Sequence, residues 1–291
     1  MSPEPVPASL ARTAHEILDV YHAVTYLAPE AQESFRALGL VRPWSGYFAG
    51  RAAPLGPVGA PLVSALFYHF KPSMVAAEIP LVWRTAAPDQ VLGARLKGVD
   101  AGLRKLLGDA VGSAELAEAA GLAEAAAAAC APPGRPLGAA NAALPLPEAP
   151  HVALWQVLTT IREFRGDGHV VALAQAGFDG VEALVTITAA GGERRRSIQA
   201  RRGWTDEEWA AAERRLAERG LLEPDGTLTA VGRLARQNVE DITDRLALPV
   251  WQRLGEEGTR RLVRLVRPAV ERIVTGLGLP VRLPATTSTG S

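Results

Sequence analysis

Four ionisable side chains and two glycines fall within seven positions, Glu163-Phe164-Arg165-Gly166-Asp167-Gly168-His169, between strongly apolar stretches. Their types suit acid–base chemistry on a small molecule. Histidine titrates near neutral pH, and a nearby carboxylate can orient or charge it. On this reading Asp167 and His169 are the candidate catalytic pair, Arg165 holds an anionic or carbonyl group of a ligand, and Glu163 joins the ligand-binding set. The glycines allow unusual backbone dihedrals or close approach of another group. A structural reading competes with this one. A helix from Leu154 ends near Arg165, another begins near His169, Asp167 caps the second, and Arg165 pairs with Asp167 or a carbonyl.

The remaining chemistry-bearing residues are few. His15 and His22 are seven apart and share a helical face, which suits either metal or haem ligation or two ordinary partly buried histidines. The single cysteine, Cys130, excludes an internal disulfide and a thiolate metal cluster. It lies in "EAAAAACAPPG" without a cationic neighbour in sequence, and is expected to be a bystander. HExxH, P-loop and GxGxxG patterns are absent, as is the GxSxG elbow of an α/β-hydrolase. No particular cofactor is indicated.

The totals fit one large domain or two ordinary ones: 291 residues, 48% hydrophobic and 21% charged. With 31 basic against 31 acidic residues there is no global field to draw nucleic acid. No apolar run reaches the roughly 18 residues of a membrane span, and "MSPEPVPASLART" lacks a leader pattern. The expectation is a cytoplasmic protein with no membrane partner, either monomer or homodimer.

The elements that must position these residues read as mainly α. Residues 1–131 form an N-terminal helical domain, 132–150 a Pro/Gly-rich linker, and 151–291 a second domain. "SLARTAHEILDVYHAVTYL" and "PDQVLGARLKGVDAGLRKLLGD" have helical spacing. "RPWSGYFAGRAAPLGPVGAP" reads as a long turn or loop, and Pro72 and Pro80 break the following apolar segments. "HVALWQVLTTIREF" and "HVVALAQAG" read as two helices. "DGVEALVTITAAGG" is a helix capped by Asp179, and "ERRRSIQARRG" is a basic connection. "WTDEEWAAAERRLAERGLL" is a helix capped by Thr205, with acids early and arginines late. "EPDGTLT" signals a tight hairpin through Asp225-Gly226. Two closing helices follow, the last over 259–276 with an apolar stripe at Leu262, Val263, Leu265, Val266 and Val270, able to pack within the chain or join a twin. The six tryptophans are mostly core anchors.

The run "RRLAERGLLEPDGTLTAVGRL" resembles the MarR-type winged helix-turn-helix, in Leu216, Gly220, Leu221, Leu222, Asp225, Gly226, Leu228, Thr229 and Gly232. Over nearly its whole length the chain is similar to a family of MarR-like bacterial proteins with "YFAGRAAPLG", "FYxFxP" and "REHRGDGHVAAL"-type motifs. Here these are Tyr47 to Gly56, Phe67 to Pro72, and Arg162 to Leu173, with Phe164 where the pattern has His. The resemblance implies a winged helix with a small β-hairpin wing. It adds Tyr47, Arg51, Tyr68 and His69 to the ligand-binding candidates. An internal echo, "FRALGLVRPWSGYFAGRAAPLG" against "RRLAERGLLEPDGTLTAVG", suggests two degenerate winged-helix halves in one chain.

In such a fold the helix before the wing enters the major groove. Here its leading residues Thr205, Asp206, Glu207 and Glu208 bring three carboxylates towards phosphate, and the wing tip Glu223-Pro224-Asp225-Gly226 is also acidic. The basic run Arg194, Arg195, Arg196, Arg201 and Arg202 either meets phosphate or is a solvated connection. The expectation is a scaffold that has lost DNA binding. It would hold a small organic molecule in an interdomain pocket, with cofactor-free acid–base chemistry by His169 and Asp167 as an extension. The alternatives are a ligand-responsive MarR-type transcription regulator and a haem- or metal-binding enzyme.

Overall fold

A computed structural model describes residues 6–284; the first five positions of the Pro-rich opening lie outside it. In chain order the helices are α1 (Ala8–His22), α2 (Val24–Leu27), α3 (Pro29–Ala37), α4 (Ser45–Ala52), α5 (Ala60–Phe67), α6 (Pro72–Thr85) and α7 (Pro88–Leu107). After them come α8 (Ala114–Ala127), α9 (Pro136–Ala142), α10 (Pro150–Gln175), α11 (Gly180–Ala189), α12 (Arg195–Arg202), α13 (Asp206–Glu218) and α14 (Ala230–Leu277). The last is broken at Gly255, whose φ of 74° and ψ of 172° are not helical.

Three apolar cores hold this together. One gathers α1, α8, the later part of α7, the first half of α10 and α14 from Val250 onwards around Tyr21, Trp155 and Trp251. A second joins α3 to α6 with the start of α7 around Phe35, Phe48, Phe67 and Ile79. The third joins the end of α10 to α11, α12, α13 and the start of α14 around Phe178, Trp209 and Leu216. Burying large apolar side chains drives this arrangement, at roughly 1.5–3 kcal/mol each. The closing stripe Leu262, Val263, Leu265, Val266 and Val270 is buried within the chain itself.

Several elements differ from the sequence expectation. The segment 163–169 is not a junction: α10 runs unbroken through it for 26 residues. Asp167 therefore caps nothing. The stretch read as a loop contains α4, whose Gly46 and Gly50 lie against the ring of Phe35, 3.0 and 2.7 Å from where a Cβ would sit. Its glycines serve packing rather than turning. Pro80 lies inside α6, where buried Ile79 and Val82 anchor the helix on either side. The basic connection is partly α12, and the segment read as a linker contains α9, with Leu137, Gly138 and Asn141 buried.

Local signals for α11 and α13 match the structure. Asp179 accepts from the backbone of Val181 and Glu182, and Thr205 accepts from Glu208 N, each within a capping box. After α13, Gly220 (φ 69°) turns the chain, and Leu222 and Leu228 form one antiparallel bridge. Among the described residues no strand forms, so the expected two-stranded wing is present only as this bridge around the Asp225-Gly226 turn. The internal echo reaches the helix ends. Leu40 N bonds Phe35 O after Gly39 (φ 86°), as Leu221 N bonds Leu216 O after Gly220. Beyond that the first copy enters α4 and the second enters the bridged turn.

Among the described residues no single helix is long and apolar enough to cross a membrane; α10 and α11 pass together by length and composition but are bent by 94°.

Candidate functional site

Successive residues on an α-helix point about 100° apart, so seven consecutive residues of α10 face every direction. Each direction has its own partner. Glu163, 1% exposed, receives Arg51 through both Nε (2.9 Å) and Nη2 (2.8 Å), and Arg162 Nη1 at 3.0 Å. Phe164 is buried under the Arg135 guanidinium, 4.4 Å from its ring centre. Arg165 donates to Asp244 of α14 at 2.8 Å. Asp167 accepts the backbone N–H of Gly138 in α9 at 2.9 Å. His169 reaches Thr243 of α14 at 2.9 Å.

The two glycines have opposite duties. At Gly168 a Cβ would lie 2.1 Å from Arg135 Nη1. That arginine is held by the carbonyls of Phe164 and Leu246, both at 3.0 Å, so it has no cheap escape. At Gly166 a Cβ would meet nothing nearer than Glu163 Oε2 at 3.8 Å. Gly166→Ala should raise stability by about 0.5–1 kcal/mol through helix propensity. Gly168→Ala should lower it by roughly 2–3 kcal/mol through lost hydrogen bonds and overpacking. Urea unfolding midpoints of the two variants are expected to move in opposite directions; movement in the same direction contradicts this packing.

The tautomer of His169 follows from its partner. Thr243 donates its own hydroxyl hydrogen to Val239 O at 2.7 Å. Its oxygen can then only accept from the ring, so His169 carries its proton on Nδ1 and presents a lone pair at Nε2. The same device recurs at His22, whose Nδ1 meets Thr159 Oγ1 at 2.9 Å while Thr159 donates to Trp155 O at 2.8 Å.

A cleft of about 220 Å³ opens between α10 and the segment after α5. Tyr47, Arg51, Tyr68, His69, Arg165 and His169 all line it. These are six of the eight residues singled out from sequence. Of the other two, Glu163 lies behind Arg51, and Asp167 points towards α9. Asp167 and His169 are thus not brought together, because positions two apart on a continuous helix diverge. His69 and His169 stack instead, ring centres 5.9 Å apart. His15, Asp19, Phe67, Phe70, Arg162, Gly166 and Arg202 complete most of the lining. In the sequence His15 stands out only by its spacing from His22, and Arg202 only as part of a basic run. No short-range signal places either beside residue 169.

Burial sets the charge states. Desolvation lowers His15 and His169 to about 4 and His69 to about 3, so the three imidazoles are neutral at pH 7. Burial also raises Asp167 to about 6. For Glu163 burial acts upwards, but Arg51 and Arg162 outweigh it and hold the carboxyl at about 2. The Cys130 thiol is pushed up to about 12 by burial, which suits a bystander. Among the described residues no three His, Cys, Asp or Glu side chains are grouped to hold a metal ion.

The wall at Tyr68 is strained. It has φ 31° and ψ −53°, a conformation rare for a non-glycine residue. Its hydroxyl donates to Phe178 O at 2.5 Å, and a Cβ at Gly180 would lie 2.1 Å from the Tyr68 carbonyl oxygen. The segment that follows grips the turn between α12 and α13. Lys71 N donates to Arg202 O (2.9 Å), Trp204 Nε1 to His69 O (2.9 Å), and Lys71 Nζ pairs with Glu208 (2.8 Å). Asp206 and Glu207 stay exposed at the start of α13. In the basic run, Arg195 pairs with Asp206 and Glu213, Arg201 with Glu193, and Arg202 faces the cleft. Arg194 and Arg196 remain exposed.

A family model described as "Helix-turn-helix family" matches residues 11–280. No curated protein and no solved structure matches the chain.

Proposed function

The chain belongs to a helix-turn-helix family, and from that membership we propose a small-molecule-binding protein of MarR-like winged-helix type that no longer uses its helix-turn-helix on DNA. The cleft carries the reading: strained Tyr68, stacked His69 and His169, and four arginines converge on one hollow. A concave site with a few convergent polar groups is the usual form of a ligand pocket. The neutral His169 offers Nε2 as an acceptor or base. Asp167, bonded to Gly138, supplies no second member of a catalytic pair, so any acid–base chemistry rests on His169 alone. Loss of DNA contact is supported by exposed carboxylates where α13 would meet phosphate, and by the pairing of Arg195 and Arg201 with carboxylates of the chain.

A thermal-shift panel of small acids, amines and neutral amides tests the reading. A ligand at a hundred times its Kd adds about 2.7 kcal/mol, which is several degrees for a chain of this size. Shifts are expected in the parent and in Gly166→Ala. They are expected to vanish in Gly166→Leu, which fills the cleft floor, with its fold verified by circular dichroism. Absence of any shift, or shifts that survive Gly166→Leu, would remove the proposal. In parallel, DNA from the gene's own promoter should show no mobility shift at low salt. A specific, steeply salt-dependent shift would favour the regulator instead.

A further inference from the structure

We infer that the cleft selects an organic anion, its carboxylate or phosphate head seated on Arg202 against Phe70, with a hydroxyl or N–H of the same molecule donating to Nε2 of His169. This rests on the preceding reading and narrows it to a ligand class.

The argument is one of charge accounting within the cleft. Four arginines line it. Arg51 is neutralised by Glu163, Arg162 by Asp19 and Glu163, and Arg165 by Asp244. Arg202 has no carboxylate partner among the described residues. Its Nη1 makes one long contact, 3.4 Å, to the Arg201 carbonyl. Its Nε is shielded from water and has no hydrogen-bond partner. Burial lowers its affinity for the proton, Tyr47 opposes this, the nearby Arg201 and Arg51 charges act with burial, and Glu193 opposes them least. A desolvated guanidinium among like charges is costly, and an anion is what relieves it. The geometry is prepared for one. The guanidinium lies 4.4 Å over the Phe70 ring, and among the described residues its Nη2 makes no hydrogen bond. The Arg202 carbonyl accepts from Lys71 N, and the half-buried side chain lines the cleft. A planar fork suits two oxygens at once, as in a carboxylate or phosphate.

The three histidines complete the selection. Because they are neutral at pH 7, they add hydrogen-bonding capacity without competing for the anion. The lone pair of His169 Nε2 asks for a donor, and a molecule with only anionic oxygens would leave it unmet.

Calorimetric titrations of the full chain with 3-hydroxybenzoate, 3-hydroxyphenyl phosphate and the neutral isostere 3-hydroxybenzamide, near neutral pH and at low salt, test the assignment. At least one anion should bind about tenfold or more tightly than the amide. The preferred anion identifies carboxylate or phosphate as the head group. Arg202→Gln should erase that preference and Arg202→Lys should retain part of it; thermal melts confirm that both variants are folded. Equal affinity for the hydroxylated amide and both hydroxylated anions, an anion affinity unchanged by Arg202→Gln, or no binding of either anion would overturn the inference. Neutral hits lost in Gly166→Leu would in those cases leave the broader ligand-binding reading standing, whereas a panel with no hits would end both.

Discussion

Between about pH 6 and pH 4.5 the protein is expected to unfold. Four histidines drive this: His15 and His169 with folded pKa values near 4, and His22 and His69 near 3, all lowered chiefly by burial. An unfolded histidine titrates near 6.5. The contribution of each neutral ring is therefore complete above pH 6.5 and is lost as pH falls towards its folded value. At pH 5 each costs about 2 kcal/mol, and together they reach roughly 5–8 kcal/mol. That is comparable to the whole stability of an ordinary domain, about 5–15 kcal/mol. Asp167 acts the other way. Its folded pKa of about 6 lies above the unfolded value, so it gains stability as pH falls from 6 to 4. One carboxyl offsets only part of four imidazoles. Tryptophan fluorescence against pH, with Trp155 stacked on His22 and Trp251 in the same core, gives the midpoint. The double variant His22→Asn, His169→Asn should shift it to lower pH and broaden it. A parent midpoint below pH 4, or a double variant with an unchanged profile, would contradict this account.

Glu163→Gln should cost about 3–5 kcal/mol, since it leaves two buried guanidiniums sharing what one carboxylate held. Glu163 is 1% exposed, and Arg51 and Arg162 both bond it directly. Arg162 retains Asp19 at 2.7 Å, but Arg51 retains only a 3.4 Å contact to the Tyr47 hydroxyl and its place over the Phe67 ring. The double replacement Glu163→Leu, Arg51→Met should cost less than Glu163→Gln alone, because it removes the stranded charge together with its partner. Urea unfolding of both variants decides this. A loss below about 1 kcal/mol for Glu163→Gln would mean the pair is solvated rather than buried.

Local chemistry was readable wherever it was self-contained. Asp179 and Thr205 cap helices as their spacing implies, and Asp225-Gly226 turns the chain. The closing apolar stripe points to a core. The misreadings share one cause. Gly166, Gly168, Gly46 and Gly50 look like breakers on propensity alone, yet all lie inside helices. At three of them the missing side chain is space taken by Arg135 or Phe35, and those neighbours are distant in sequence. Tertiary packing overrides a weak local preference in each case. The cleft was legible in part for the same reason. Residues 163–169 announced themselves by composition, and the aromatic and arginine positions came from resemblance. Arg202 could not be separated from its basic neighbours until the chain was folded.

The segment from Tyr68 to Lys71 serves two masters. One side of it walls the hollow through Tyr68, His69 and Phe70, and the other clasps the α12–α13 elbow through Lys71 and the His69 carbonyl. A substitution here that reshapes the hollow therefore also shifts the α12–α13 elbow, so the two cannot vary independently.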